Sequence, residues 1–96
     1  MRKYELMYIV RPDLEQEAVE GVTEKIKGVI TNMGGEITNH EILGKRRLAY
    51  EIQKFRDGIY VLVQFQAAPS AVAEVERVIR ITDEIIRHLV VRDQAS

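Results

Sequence analysis

The chain opens with apolar and polar residues in alternation, which predicts a strand over residues 2–10. The second face of this strand is only half polar, because Met7 and Ile9 fall on it. The predicted inward face carries Tyr4, Leu6, Tyr8 and Val10. The segment RPD ends the strand, since proline removes a backbone donor.

A helical period replaces the alternation after residue 13. Asp13 is a good N-cap, and Gln16 stands three residues later, so we expect a capping box at this helix start. Gly34 and Gly35 predict its end. The apolar positions recur at steps of three or four and form one stripe, made of Leu14, Ala18, Val22, Ile26, Ile30 and Met33.

Residues 36–52 have the pattern of one long strand whose apolar phase changes along its length. A phase change requires one extra residue, so we predict a bulge or kink near Gly44. The apolar residues are odd-numbered and then even-numbered: Ile37 and Leu43, followed by Leu48, Tyr50 and Ile52.

Asp57 and Gly58 form a hairpin-turn signal, and we expect the turn between the second and third strands there. A third strand follows over residues 59–66. Pro69 opens a second helix, and residues 85–92 form a last strand. The predicted buried stripe of the second helix is Val72, Val75, Val78 and Ile79.

The resulting order, βαββαβ, consists of two split βαβ units within one domain spanning residues 1–96. We therefore predict an α+β, ferredoxin-like sandwich with a four-stranded antiparallel sheet in the order 4-1-3-2 and two helices on one face. The other face has no cover in this chain. This face either binds a protein partner or carries only the scattered apolar residues that are normal on protein surfaces. The residues expected on it are Met7, Ile9, Tyr60 and Leu62.

The composition of the chain argues against several classes of function. The chain has no cysteine, no signal-peptide pattern and no apolar run of the ~20 residues that span a bilayer, so we expect a soluble, cytoplasmic protein without membrane contact. His40 and His88 stand apart from any metal-ligand constellation, and no phosphate-binding glycine loop occurs. We predict no enzyme activity, metal, cofactor or small-molecule substrate.

Positive charge is concentrated locally although the net charge is −1. The acids cluster in the first helix, and the densest basic run is Lys45-Arg46-Arg47. Such a run either protects an exposed edge strand against aggregation or binds an anion such as RNA phosphate. Spacing alone leaves both interpretations open. Base stacking of the kind seen in RNA-recognition motifs is disfavoured, because aliphatic residues replace most of the sheet-face aromatics.

Three stretches then point to a known family: RKYELMYIVRPD, LGKRRLAYEIQKFRDGIYVLVQF and IRITDEIIRHLVVR. In order and spacing they resemble the bacterial small-subunit ribosomal protein six family over nearly the whole chain. The middle stretch is the most specific, since no rule of folding dictates it. Two departures are Glu51, where many relatives carry proline, and the short tail RDQAS, which lacks the glutamate-bearing extension that is modified in some members.

The resemblance implies a structural component of the bacterial small ribosomal subunit, located on cytoplasmic ribosomes. It implies binding to the central domain of 16S ribosomal RNA, cooperatively with the eighteenth small-subunit protein. The alternative is a homodimeric ferredoxin-like ligand-binding or regulatory module joined through the open sheet face. The RNA-contact candidates taken from the matching positions are Arg2, Lys3, Lys45, Arg46, Arg47, Lys54, Arg80 and Arg87.

Overall fold

The computed structural model describes residues 1–93 and contains four strands and two helices. Their bounds are β1 Arg2–Val10, α1 Gln16–Asn32, β2 Glu36–Ile52, β3 Phe55–Ala67, α2 Pro69–Arg80 and β4 Ile85–Arg92. The strands pair antiparallel in the order β2-β3-β1-β4. This is the predicted 4-1-3-2 order read from the other edge, so the ferredoxin-like fold is confirmed. The part of the tail RDQAS from residue 94 onward lies outside the described residues.

The core fills the layer between the helices and one face of the sheet. All four residues predicted for the inward face of β1 are buried there. Tyr4 stacks on Phe65 of β3 with ring centroids 5.5 Å apart. The Tyr8 hydroxyl is 2.7 Å from Thr23 Oγ1 on α1, and Thr23 in turn donates to the carbonyl oxygen of Val19. Burial raises the pKa of Tyr8 to about 12, with the hydrogen bond to Thr23 acting in the opposite direction.

The start of α1 differs from the prediction. Its N-cap is Glu15, which makes no side-chain capping bond, so the capping box at Asp13 and Gln16 is wrong. The Asp13 carboxylate instead accepts a hydrogen bond from Arg11 at 3.0 Å, because the short RPD turn holds the two side chains together. The helix end is as predicted: α1 stops at Asn32, and the glycines follow.

The hairpin between β2 and β3 also turns at a different place. Gln53 and Lys54 form the turn with φ of +50° and +71°, values expected of a two-residue type I′ loop. The prediction of a turn at Asp57 and Gly58 is therefore wrong. Gly58 is buried in β3, and an added Cβ would overlap Cγ2 of Ile9. A glycine is needed here for close packing between strands rather than for a turn.

Strand β2 is irregular along its length. Its register with β3 shifts at three places, one of them between Ile42 and Gly44, where Gly44 has a φ of +97°. The predicted bulge near Gly44 is therefore confirmed. Between the pairs Arg47–Asp57 and Ile52–Phe55, residues 48–51 of β2 stand against Arg56 alone on β3, so β2 contains three extra residues in this segment. These extra residues bend the hairpin over the sheet face that carries no helices.

Candidate nucleic-acid interface

The helix-free face of the sheet, called the open face below, is organised in rows by the strand register. One row crosses all four strands through Gly44, Tyr60, Ile9 and Arg87. The next row crosses them through Glu41, Leu62, Met7 and Leu89. A third row contains Asn39, Gln64, Glu5 and Val91. The open face is therefore basic and aromatic near the hairpin. Its middle row is apolar apart from Glu41 on β2, and the row beyond is polar apart from Val91 on β4.

A small apolar cluster covers the hairpin end of this face. Leu48, which lies among the inserted residues of β2, packs with Ile9 of β1 and Ile86 of β4, and each of the three is 8% exposed. Of the four residues predicted for a protein-partner face, Ile9 is thus covered by the chain itself. Met7, Tyr60 and Leu62 remain half-buried on the open face. Leu89 and Val91, which we did not predict there, are 63% and 51% exposed.

Two arginines lie over tyrosine rings beside this cluster. The guanidinium carbon of Arg46 is 6.0 Å from the Tyr60 ring centroid, and that of Arg87 is 5.3 Å from the Tyr50 centroid. Both distances fit cation–π contacts. Arg46 pairs with Gly58 in register, and Gly44 is the β2 neighbour of Tyr60. Because neither glycine has a side chain, the space above Tyr60 is open to Arg46.

The charge of these two arginines is not neutralised by an acid among residues 1–93. The four ion pairs recorded in this part of the chain belong to Arg11, Lys27, Arg77 and Arg80. Arg77 is bound to Glu74, and this bond raises the pKa of Arg77 and lowers that of Glu74. An exposed arginine whose flat side rests on a ring still presents its N–H groups at the edge. That arrangement suits phosphate oxygens.

The predicted RNA-contact residues do not form a single patch. Arg46 and Arg87 share the open face, and Lys54 lies in the hairpin turn of the same end. Lys45 and Arg47 alternate with Arg46 along β2 and point to the helix side of the sheet, opposite Ile59 and Asp57. Arg80 is the last residue of α2, near the hairpin end of the sheet, and its guanidinium group donates a hydrogen bond to Glu76 at 3.1 Å. Arg2 and Lys3 begin β1 at the far end of the sheet.

Sequence reasoning missed Tyr50 as a site residue, although it is 58% exposed and completes the contact with Arg87. A signal was present, since Tyr50 shares the even-numbered phase of Arg46 and Leu48 in β2. The contact of Arg11 with Phe55, at 5.4 Å, was also missed. Among residues 1–93, no cluster of side chains suited to a metal ion occurs, and no helix has the length and apolarity to cross a membrane.

Comparison with known proteins decides the family. The model of the family described as ribosomal protein S6 matches residues 3–92. The chain belongs to the ribosomal protein S6 family. A member of this family from Desulforamulus reducens, a small ribosomal subunit protein bS6, is 52% identical over 93 residues, which cover 97% of this chain and 98% of that protein. The bS6 protein of Moorella thermoacetica is 48% identical, with coverage of 96% and 94%.

The fold of the S6 family is also found in a solved structure. The crystal structure of 30S ribosomal protein S6 from Thermotoga maritima superposes with a TM-score of 0.91 at 36% identity, covering 96% of this chain and 87% of that one. As an S6 family member, the chain is a structural component of the small ribosomal subunit and not an enzyme. It is therefore located on the cytoplasmic ribosome, where ribosomal RNA is its partner.

Proposed function

We propose that this S6 family member binds the central domain of 16S ribosomal RNA cooperatively with the eighteenth small-subunit protein, and that the pairs Arg46–Tyr60 and Arg87–Tyr50 form the centre of its RNA contact. The supporting observation is the placement of two exposed arginines over tyrosine rings, with no acid partner among residues 1–93. Anchored cations lose less side-chain freedom on binding phosphate than free ones do.

The remaining cations extend this contact in two directions. Lys45, Arg47 and Lys54 surround the hairpin, so they reach phosphates on the other side of the bent β2 strand. Arg2 and Lys3 lie at the opposite end of β1, about 25 Å away for a strand of nine residues. An RNA that touches both ends must therefore run along the sheet. The net charge of −1 fits a site whose cations are shared with a second protein.

The apolar row beside the arginines is the surface we assign to the partner protein. It consists of Met7, Leu62 and Leu89, and Val91 adjoins it. Leu89 lies two residues from Arg87 on the same face, so a protein that covers Leu89 abuts the RNA contact. This adjacency gives cooperativity a physical cause, because the bound partner adds its own RNA contacts next to Arg87.

Cooperative RNA binding is tested by titrating a platform fragment of the central domain with this protein, alone and with the eighteenth protein, across a range of salt. We expect a clear gain in affinity with the partner and a linear fall of log affinity with log salt. An RNA affinity that changes neither with the partner protein nor with the salt concentration would contradict the proposal. Sedimentation of the free protein tests the homodimer alternative, which predicts a dimer at all concentrations.

A further inference from the structure

A second surface lies on the helix side of the sheet, where α1 does not close against the edge strand β2. His40, Ile42 and Lys45 line this side of β2, and all three are exposed. Ile42 is 39% exposed, whereas Val61, its partner on β3, is completely buried. The helices thus cover β3 but leave an open groove between α1 and β2.

The groove has an apolar floor and an acidic lip. Its floor is formed by Val19, Ile42 and Ile59. The lip along α1 consists of Gln16, Glu20 and Glu24, which follow each other at steps of four and so share one edge of the helix. At this spacing neighbouring Cβ atoms lie about 5–6 Å apart, a distance that one guanidinium group can bridge.

The two glutamates of the lip interact only with their own helix among residues 1–93. Glu20 accepts a hydrogen bond from Gln16 at 3.2 Å, and Glu24 pairs with Lys27 at 3.4 Å. Neither forms an ion pair with the strand across the groove. The segment from residue 13 to 32 holds five acids and two bases, so the α1 lip of the groove is negative, while Lys45 lines its β2 side. A phosphate would be repelled at this lip, whereas the guanidinium group of an incoming arginine would be attracted to it.

We infer that the groove between α1 and β2 docks an arginine side chain from a cationic segment of a partner protein. The aliphatic part of the arginine packs on Val19 and Ile42, and its guanidinium group donates to Glu20 and Glu24. The groove lies on the helix side and the arginine–tyrosine pairs on the open face, so both sites can be occupied together. The inference therefore stands independently of the RNA contact centred on Arg46 and Arg87.

A capped peptide of sequence Gly-Ser-Arg-Leu-Arg-Ser-Gly serves as the probe, with the same peptide carrying glutamate in place of arginine as its control. Titration into the labelled protein is followed by backbone amide NMR. We expect the arginine peptide to shift the resonances of residues 16–24 and 40–45. The shifts should weaken with added salt, because the lip glutamates are solvent-exposed.

Two double variants separate groove binding from a general effect of charge. Glu20→Gln with Glu24→Gln should weaken peptide binding about fivefold, since two charge-assisted contacts are lost. Glu17→Gln with Glu41→Gln removes the same charge from positions of α1 and β2 that lie outside the groove lining, and should leave binding within about twofold. Equal weakening by both pairs, shifts mapping elsewhere or equal binding of the glutamate peptide would overturn the inference.

Discussion

Arg87 and Tyr50 belong to the two opposite edge strands of the sheet, yet the guanidinium carbon of Arg87 lies 5.3 Å from the centroid of the Tyr50 ring. The contact exists because residues 48–51 are inserted into β2 and bend its end across β3 and β1. Leu48 anchors this bend on Ile9 and Ile86. This insertion in one edge strand thereby brings the basic strand β2 and Arg87 of the opposite edge strand into one surface.

The first prediction concerns the ring under Arg87. Tyr50→Ala should lower RNA affinity about two- to fivefold, because a cation–π contact at an exposed site contributes about 0.5–1 kcal/mol to holding the arginine in place. Tyr50→Phe keeps the ring and should bind as the native protein does. Filter binding measures both affinities. An equal loss in the two variants would assign the effect to the hydroxyl and not to the ring.

A second prediction uses the close contact of Gly58 with Ile9. Gly58→Ala should destabilise the fold by about 1–3 kcal/mol, since the new methyl group overlaps Ile9 Cγ2 in a packed region. Gly21→Ala is the matched control, because Gly21 lies within α1 and has no atom within 4 Å of an added Cβ. That control should stabilise by about 0.5–1 kcal/mol. Urea unfolding measures the stability of both variants. An unchanged free energy of unfolding for Gly58→Ala would contradict the packing described.

The buried hydroxyl of Tyr8 leads to a prediction on alkaline stability. Its pKa is about 12 in the folded protein against 10.0 for an ordinary tyrosine. Above pH 10 the unfolded chain releases this proton first, so the contribution is complete below pH 10 and declines as the pH approaches 12. The total loss is about 2–3 kcal/mol.

The Tyr8→Phe variant isolates this loss from the titration of other groups. It removes the hydrogen bond to Thr23, at a cost of about 1 kcal/mol at neutral pH, while Thr23 keeps its bond to Val19. Urea midpoints measured from pH 8 to 11.5 should fall less steeply for the variant than for the native protein. Parallel curves would show that Tyr8 titrates as an exposed tyrosine does.

A fourth prediction places the partner protein on the open face. Leu89→Asp should abolish binding of the eighteenth small-subunit protein, since it puts a charge into the apolar row, and should change stability little because Leu89 is 63% exposed. Ile81→Asp is the control, as Ile81 is 64% exposed next to the end of α2. Calorimetric titration compares them. If the Leu89→Asp variant binds the partner as well as the native protein does, the partner must bind another surface.

The sheet, its strand order and the second helix follow from the sequence because period and length agree along each element. Two local signals misled us, because in each case the residue is engaged in a different contact from the one that its composition suggests. Asp57-Gly58 has the composition of a turn, but Gly58 is required beneath Ile9, and the less favourable pair Gln53-Lys54 turns instead. Asp13 has the composition of an N-cap, but its carboxylate is bound by Arg11.

The candidate site was only partly predictable for a similar reason. The cations of β2 are visible in the sequence, and so is the alternation that sends Arg46 to one face and Lys45 and Arg47 to the other. The meeting of Tyr50 with Arg87 depends on how far the inserted residues carry the strand end across the sheet. No periodicity specifies that distance, because it is set by the packing of Leu48 between β1 and β4.

The most direct measurement is the salt dependence of RNA affinity for Arg46→Ala with Arg87→Ala, in the presence of the eighteenth protein. The control, Arg77→Ala with Lys27→Ala, removes equal charge from two helix residues that are ion-paired with their own helices. We predict that the first pair lowers affinity about 10- to 100-fold and reduces the salt slope by about two, whereas the control changes affinity less than about threefold. Equal affinities and equal slopes for the two double variants would contradict an RNA contact centred on Arg46 and Arg87.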